Sequence, residues 1–484
     1  MASIISEHIP PQLNPGHNWA YLVLLLLLSS LVLWDYASSN PLENLYDPVS
    51  AVADSLGPEL EYFDGLEDLP GWQKSLLNFP GMSRDDFITD ALKTWRDVLI
   101  TIQQDPDYFN DQELQVAQAQ LFILLTEEHD YQAAVDESNT WQSTDSPLLQ
   151  YVSSIYAKQL DVERPEHDFF DTYPDNWATL RLLRKEAEVR KDQQDLVNIN
   201  SLIKNRTDTQ IIRSIFYTIV WWIIIITGLL LFLFYARTIL SKSNRYQIAW
   251  PVGDAIGVYI RAELVIILII LSQSIWYTFS AYVSEINSLI DTFYSWSSLL
   301  SGLITILFIY LFLTKPRQTT FREVFGLSLS RMNGVTPLLL WIVVLMSLDN
   351  IGIILINQVA SGLGVNAPWA EGISETMLWG SPFEVTMEAI DTVIWAPIYE
   401  ELIFRGVLYL GLRKIYSPIV AAILSASIFS FLHFYTITGF FEILWGGMLY
   451  ALAFEYSRSL LPAIGAHMLF NLNWLLYSLI FYRW

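Results

Sequence analysis

Apolar runs that are long enough to cross a bilayer as helices dominate the chain after residue 210. The sequence of 484 residues is 53% hydrophobic, which is typical of a polytopic membrane protein rather than of an ordinary soluble one. We assign about eight spans, at residues 213–236, 263–283, 297–314, 336–357, 390–411, 418–434, 441–456 and 460–482. The sequence therefore predicts an all-α, polytopic membrane helical bundle with about eight core spans.

A further apolar run, from Trp19 to Trp34, carries a tryptophan at each end. Tryptophans at the membrane interface could seat this short run as a span. A cleaved signal peptide is the alternative. Residues 1–18 contain no Lys or Arg, however, and the first region of a signal peptide would need them. We favour an uncleaved N-terminal transmembrane anchor within residues 1–35.

The acidic side chains are concentrated between Asp35 and Thr209, where hydrophobic runs are short. The net charge of −23 lies almost wholly in this segment and argues against a nucleic-acid partner. The chain has no cysteine, which excludes disulfides, a thiolate nucleophile and cysteine metal ligands. Residues 36–210 are therefore predicted to form an acidic, soluble domain inserted between the anchor and the bundle.

Helical periodicity marks this soluble domain. Apolar residues recur with a helical period over Asp85–Thr101 and Glu113–Leu125, and a third long helix is predicted over Trp177–Ile203. The segment His129–Val135 resembles the turn and second-helix start of a tetratricopeptide-type repeat. Two interpretations stay open: an ordinary helical domain with a solvated acidic face, which we favour, and a module that docks a protein or peptide.

The short loops between the predicted spans alternate in charge. One set contains Arg237, Lys242, Arg245, Arg261, Lys315, Arg317, Arg322, Arg331, Arg413, Lys414 and Arg458. The opposite set, near residues 284–296, 358–389 and 435–440, contains acids but no Lys or Arg. The positive-inside rule places the basic loops in the cytoplasm. The soluble domain is then expected on the extracytoplasmic side.

Two carboxylates and a guanidinium lie inside the predicted span at 390–411, at Glu400, Glu401 and Arg405. Each charge at a bilayer centre costs about 2.5–3.5 kcal/mol on insertion scales, so such residues are usually functional. Glu401 and Arg405 are four residues apart and share a helix face, which predicts an ion pair. Glu400 points in another direction and has no obvious local partner. We therefore interpret Glu400 as the candidate general base.

The predicted spans contain two histidines, His433 and His467. Each lies about one helical turn from another residue of interest. Phe429 precedes His433 by four positions, and Asn471 follows His467 by four positions. Interhelical hydrogen bonding that merely holds helices together is the alternative for any one of them. The zinc-protease pattern His-Glu-x-x-His, the Gly-x-Gly-Asp motif of aspartyl intramembrane proteases and a Gly-x-Ser-x-Gly elbow within a span are absent from the sequence.

Glu400-Glu401-x-x-x-Arg405, Phe429-x-x-x-His433 and His467-x-x-x-Asn471 resemble, in this order, three motifs of one family. It is the CPBP family of CAAX-processing and bacteriocin-processing intramembrane endopeptidases, also called the CAAX protease or Abi family. The match covers about residues 385–480. It implies a helical bundle of about eight spans and leaves residues 1–210 outside. The chain then divides into an anchor (1–35), a soluble domain (36–210), first membrane spans (211–330) and a membrane catalytic core (331–484).

The resemblance also implies roles for the motif residues. Glu400 and His433 would hold and activate a water, and His467 and Asn471 would stabilise the oxyanion of a tetrahedral intermediate. Glu401 and Arg405 would support the site. The cofactor is left open: Glu400, His433 and His467 could instead bind zinc in a metalloprotease.

The expected function is hydrolysis of a peptide bond in a membrane-associated or exported protein or peptide. Because the loop charges direct the site toward the outside, a prenylated CAAX substrate is disfavoured and a bacterial cytoplasmic-membrane enzyme is favoured. The alternative is a non-catalytic membrane scaffold or bacteriocin-immunity protein that recruits partners through the soluble domain. A transporter with a proton relay is disfavoured, because the hydropathy shows no inverted repeat.

Overall fold

The computed structural model describes residues 20–30, 45, 47–77, 83–104, 109–141, 146–159, 163–165, 169–173, 175–240, 250–280, 287–365 and 374–483. Within these residues every regular element is a helix and no strand occurs. The predicted all-α class is therefore confirmed. Most of the predicted anchor lies outside the described residues, which include only its helix at Ala20–Ser30.

The chain forms two compact units. The membrane unit consists mainly of Trp221–Val365 and Ser381–Leu475, and contains all of the motif residues. The acidic unit consists mainly of Ser39–Val220, joined by Asn366–Gly380 and Leu476–Trp484. Each unit buries its own set of apolar side chains.

The acidic unit is built from short and medium helices at Pro48–Glu67, Gly71–Leu77, Arg84–Gln104, Asp111–Glu128, Tyr131–Ser138, Pro147–Tyr156, Phe169–Thr172 and Trp177–Arg190. Asp111–Glu128 is the central helix, because ten consecutive residues from Val116 to Leu125 are buried on all sides. A capping box formed by Asn110 and Glu113 begins this helix. The two periodic segments of the sequence are thus confirmed as helices.

Two other predictions for this unit have different outcomes. Asp130 accepts a hydrogen bond from the backbone N–H of Ala133 at 2.7 Å and begins a helix at Tyr131, as the sequence indicated. Membership of a tetratricopeptide family stays a prediction. The single helix predicted over residues 177–203 is wrong: the chain turns at Lys191, whose φ is +57°, and a new helix begins at Gln193. The backbone N–H of Lys191 returns to the carbonyls of Ala187 and Glu188, which closes the first helix.

Six helices of the described part are long and apolar enough to cross a membrane. They lie at Gln193–Tyr235, Val252–Ser272, Ser297–Arg317, Val335–Leu363, Ile437–Ser457 and Leu461–Tyr482. The chain is therefore a multi-pass membrane protein. The predicted span at 418–434 is a shorter apolar helix, Pro418–Phe431, and the span at 390–411 is divided into pieces of different helical register.

We call residues 382–412 the motif helix. It runs through Pro382–Ala389 (α), Ile390–Trp395 (π), Ala396–Glu400 (α), Glu401–Tyr409 (π) and Leu410–Leu412 (α). Pro397 has no backbone N–H, so it cannot complete the α-helical ladder at its position. Wider π turns within α-helices are rare and often occur at functional sites. The two acidic motif residues lie where the register changes, Glu400 ending one piece and Glu401 beginning the next.

Candidate active site

Glu401 is the most buried charged group of the site, with no exposed surface. Its Oε1 lies 2.9 Å from Nη1 of Arg405, which is the ion pair that the sequence predicted. The same oxygen lies 3.0 Å from Nδ1 of His467, a contact that spacing within one helix could not reveal. Glu401 therefore joins the motif helix to the helix Leu461–Tyr482, which we call the His467 helix.

Arg405 is 1% exposed and is enclosed by aromatic rings. Its guanidinium carbon lies 4.2 Å from the ring centroid of Phe429 and 5.6 Å from that of Tyr450. The angle to Glu401 is poor for a hydrogen bond, and neither terminal nitrogen has a hydrogen-bonded acceptor among the described residues. Electrostatic attraction to Glu401 and cation–π contacts therefore compensate this buried charge. The Phe429 of the second motif thus packs on the first motif.

The ring of His467 is held in one orientation by the Glu401 contact. Glu401 is paired with Arg405, so Nδ1 of His467 is the donor in their hydrogen bond. Nε2, the other ring nitrogen, lies 3.8 Å from Oε2 of Glu400. The Glu400 side chain is 17% exposed, unlike that of Glu401. Of the two adjacent carboxylates, Glu400 is the accessible one, as the sequence indicated.

His433 is oriented by its own helix. Its Nδ1 donates to the backbone carbonyl of Phe429 at 2.8 Å, because a carbonyl can only accept. Nε2 is therefore the ring nitrogen that is left to contact other groups. The rings of His433 and Phe429 are 4.5 Å apart in an edge-on arrangement, and Glu400 attracts His433 electrostatically. The second motif thus brings His433 to the same side as Glu400.

Asn471 satisfies a backbone group of the motif helix. Its Nδ2 donates to the carbonyl of Thr392 at 2.7 Å. The N–H of Ala396 donates to Asp391 instead of Thr392, and the next residue, Pro397, has no N–H. The carbonyl of Thr392 thus receives no backbone hydrogen bond from Ala396 or Pro397. The side chain of Asn471 supplies the missing donor. The second N–H of the Asn471 amide is left for another acceptor.

Three residues of the membrane unit escaped the sequence analysis. Asp349 is 2% exposed and accepts a hydrogen bond from Tyr450, whose ring is stacked on His467. Glu263 is 4% exposed, its Oε1 has no hydrogen-bond partner among the described residues, and it repels Glu400 electrostatically. Both acids lie in predicted spans, so the rule that singled out Glu400 would also have found them. Tyr450 gives no comparable signal, because tyrosines are common in membrane helices.

A ready-made metal site is not present in the part of the chain that the structure describes. No group of three or more His, Cys, Asp or Glu side chains there is arranged to hold a metal ion. Glu400, His433 and His467, which the resemblance offered as zinc ligands, therefore do not fit a zinc ion as they are placed.

Comparison with known proteins identifies the class of the motif region. Residues 382–473 match the family model described as type II CAAX prenyl endopeptidase Rce1-like. This match confirms the resemblance to the CAAX protease family in the segment that carries all three motifs, and it supports a CAAX-type intramembrane endopeptidase with a protein or peptide substrate. No curated protein and no solved structure matches the chain.

Proposed function

We propose that the membrane unit hydrolyses a peptide bond in a membrane-associated or exported protein or peptide, with Glu400 as the catalytic base. The observation that carries this proposal is the difference between the two adjacent carboxylates. Glu401 is fully buried between Arg405 and His467, whereas Glu400 is partly exposed beside the Nε2 atom of His467. A structural ion pair and an accessible base are thus separated at neighbouring positions.

The proposed reaction begins with a water held between Glu400 and His433. Glu400 takes a proton from this water, and the water oxygen attacks the carbonyl carbon of the substrate. The negative charge that forms on the substrate oxygen is stabilised by two donors: Nε2–H of His467 in its protonated form, and the remaining N–H of the Asn471 amide. The proton then passes from Glu400 to the departing amine as the peptide bond breaks. Glu401 and Arg405 hold His467 in place.

Metal content of the purified protein is a separate question. Zinc, for which the resemblance offered Glu400, His433 and His467 as ligands, does not fit these residues as they are placed. We propose that hydrolysis proceeds by the metal-free glutamate route. Activity that is lost on dialysis against a chelator and restored by zinc alone would contradict this route.

The distribution of charge among the loops supports an orientation of the chain in the membrane. We propose that the chain lies in a bacterial cytoplasmic membrane with its acidic unit outside. The matched family is named for prenyl substrates. A site that faces the outside favours an exported or membrane-bound peptide instead. Labelling of single introduced cysteines with a membrane-impermeant reagent, at residue 204 and at residue 414, tests the orientation. Labelling at 414 alone in intact cells would contradict it.

The test of the proteolytic function compares the membrane proteomes of a wild-type strain and a Glu400→Gln strain. We expect new protein termini in the wild type that are missing from the variant. Glu455→Gln is the matched control, because Glu455 is also a buried carboxylate of the membrane unit but is paired with Arg413 at 3.0 Å. The control strain is expected to retain the termini. Identical termini in all three strains would refute the proposal.

A scaffold or immunity protein is the second candidate function. The observation that favours it is a cavity of 270 Å³ within the acidic unit, lined by aromatic rings such as Tyr173, Trp177 and Trp379 and by Asp54 and Arg206. Aromatic and charged groups around a concave site are suited to binding a peptide side chain. This function predicts that Trp379→Ala abolishes the phenotype of the chain while Glu400→Gln retains it. The proteolytic function predicts loss in the Glu400 variant.

A further inference from the structure

Tyr450 contacts the candidate site through its ring and the neighbouring helix through its hydroxyl. The ring is stacked on that of His467, with centroids 5.6 Å apart and planes inclined by 27°. Tyr450 is 4% exposed and His467 is 7% exposed, so water does not separate them. The plane of the His467 ring is therefore limited by Tyr450 as well as by the hydrogen bond to Glu401.

Asp349 holds the far end of Tyr450. The phenol donates to Oδ2 of Asp349 at 2.8 Å, and Asp349 is 2% exposed. Asp349 lies in the helix Val335–Leu363 and Tyr450 in the helix Ile437–Ser457. A hydrogen bond to a carboxylate is stronger than one between neutral groups, so this contact restrains the phenol firmly.

The packing of these two helices leaves Asp349 little freedom. A Cβ at Gly446 would lie 3.0 Å from Oδ1 of Asp349, so the glycine makes room for the carboxylate. One turn away, the indole of Trp445 lies against Gly352 and donates to the carbonyl of Leu348 at 2.9 Å. The helices are thus in close contact on both sides of Asp349, which fixes its position.

The charge of Asp349 also acts on the site. It attracts both His467 and Arg405 electrostatically. An acid in a membrane helix is costly and usually functional. The alternative is a purely structural role, in which the hydrogen bond between Tyr450 and Asp349 only joins two helices. The membrane unit contains a pair of that kind for comparison, since Tyr409 donates to Oε2 of Glu455 at 2.8 Å, and Glu455 is the ion-pair partner of Arg413.

We propose that Asp349 and Tyr450 are positioning residues, which hold the ring of His467 in the orientation that peptide hydrolysis needs. The inference rests on the proposed function for its catalytic consequence. The orientation itself is a property of the unliganded protein and can be measured without a substrate. Three residues outside the sequence motifs and the motif helix, Asp349, Gly446 and Tyr450, would then belong to the machinery of the site.

Nitrogen NMR of the full-length protein, labelled with ¹⁵N only in histidine, tests the orientation. The ring resonances of the two membrane histidines are assigned with His433→Gln and His467→Gln. We expect Tyr450→Phe and Asp349→Asn, which are both conservative, to shift or broaden the His467 resonances. Tyr409→Phe, the matched control, is expected to leave them unchanged. Wild-type His467 resonances in both Tyr450→Phe and Asp349→Asn would overturn the inference.

Kinetics provide the second readout, with a synthetic peptide that spans a terminus found in the proteome comparison. Tyr450→Phe is expected to lower kcat on the order of tenfold with little change in KM, because misorientation of one catalytic group affects the chemical step. Tyr409→Phe should match the wild type in kcat. Equal kcat values for the two variants would overturn the positioning role while leaving the protease proposal intact. A Glu400→Gln protein that still cleaves the peptide would instead refute the protease proposal.

Discussion

Oε1 of Glu401 lies 3.0 Å from Nδ1 of His467, so a carboxylate of the motif helix fixes the proton of an imidazole on the last helix. The same oxygen lies 2.9 Å from Arg405. One buried oxygen thus compensates a guanidinium and orients the His467 ring. Such carboxylate–histidine contacts determine which ring nitrogen faces the reacting groups.

These two roles of Glu401 can be separated by substitution. Glu401→Leu leaves Arg405 buried and uncompensated, which is expected to lower the free energy of unfolding by about 3–5 kcal/mol. In the double variant Glu401→Leu with Arg405→Met both charges are gone, so most of the stability should return. Activity should not return, because His467 still lacks its acceptor. Thermal unfolding in detergent and kcat on the identified peptide provide the two measurements.

Glu455 and Arg413 provide the control for this comparison. They form an ion pair in the same unit, 3.0 Å apart, in which Glu455 is buried and Arg413 is partly exposed. The double variant Glu455→Leu with Arg413→Met should likewise recover most of the stability that the single variant Glu455→Leu loses. Its kcat should stay close to that of the wild type. Full recovery of activity in the Glu401 and Arg405 double variant would contradict the role of Glu401 as the partner of His467.

The sequence predicted the membrane bundle, and it proposed the residues of the candidate site without predicting how those residues are paired. The spans and the ion pair of Glu401 with Arg405 follow from hydropathy and from spacing along one helix. The contact of Glu401 with His467 joins positions 66 residues apart and depends on how two helices pack. Spacing along a single helix contains no information about such contacts.

Local changes in the backbone are a second reason why the structure differs from the sequence predictions. The turn at Lys191 divides a segment whose apolar period suggested one helix, because a left-handed residue closed the first helix. Pro397 shows the opposite case. It was noted as part of the motif, yet its effect on the helical register, and the need for Asn471 to satisfy the Thr392 carbonyl, emerge only from the backbone hydrogen bonds.

Gly447 provides space for Arg405, and an added methyl group should disturb the site. A Cβ at this position would lie 2.9 Å from Cβ of Ala426 and 3.0 Å from Nη2 of Arg405. Gly447→Ala is therefore expected to lower the melting temperature, although alanine is intrinsically better than glycine in a helix by about 1 kcal/mol. The guanidinium should also move, which lowers kcat.

Gly362→Ala is the matched control for Gly447→Ala. Gly362 also lies in a membrane helix, but an added Cβ meets nothing within 4 Å. We expect this variant to be as stable as the wild type or slightly more stable. Opposite signs of the two shifts, measured by thermal unfolding in the same detergent, would establish the steric cause. A gain of stability in Gly447→Ala would contradict the close packing of Gly447 against Ala426 and Arg405.

Glu59 makes the stability of the acidic unit depend on pH. Burial raises the pKa of its carboxyl from 4.5 to about 7, against the lowering effect of a hydrogen bond from Tyr482. Between these two pH values the folded state holds a proton that the unfolded state has lost, so stability falls as the pH rises through this window. Because the side chain is partly exposed, we expect a loss of roughly 2 kcal/mol.

Hydrogen exchange of the helix Pro48–Glu67 measures this effect. Protection should decrease from pH 5 to pH 7.5, after correction for the intrinsic exchange rate. Glu59→Gln, which cannot ionise, should flatten the dependence. Glu67→Gln, on the same helix but with a largely exposed side chain, should leave it as in the wild type. A pH dependence that is identical in all three proteins would contradict the role of Glu59.

Asn471 and Pro397 are expected to be energetically coupled, because the amide supplies the hydrogen bond that the proline cannot. Asn471→Ala leaves the carbonyl of Thr392 without a donor, which should cost about 1–3 kcal/mol. In Pro397→Ala a backbone N–H becomes available at the position that the π register assigns to this carbonyl. The stability loss of Asn471→Ala should therefore be smaller in the Pro397→Ala background. A double-mutant cycle measures the difference directly.

The same cycle with Ser425 distinguishes this explanation from a general softening of the motif helix. Ser425 donates to another carbonyl of that helix, that of Phe404, at 2.9 Å, and residue 397 is not a normal partner for that carbonyl. Ser425→Ala and Pro397→Ala should therefore be additive, whereas Asn471→Ala and Pro397→Ala should not. If the Asn471 cycle is additive as well, Asn471 does not replace the missing bond. If they are not additive, stability is restored in the double variant Asn471→Ala with Pro397→Ala. A loss of kcat in that variant would identify the second N–H of Asn471 as the group that acts on the substrate.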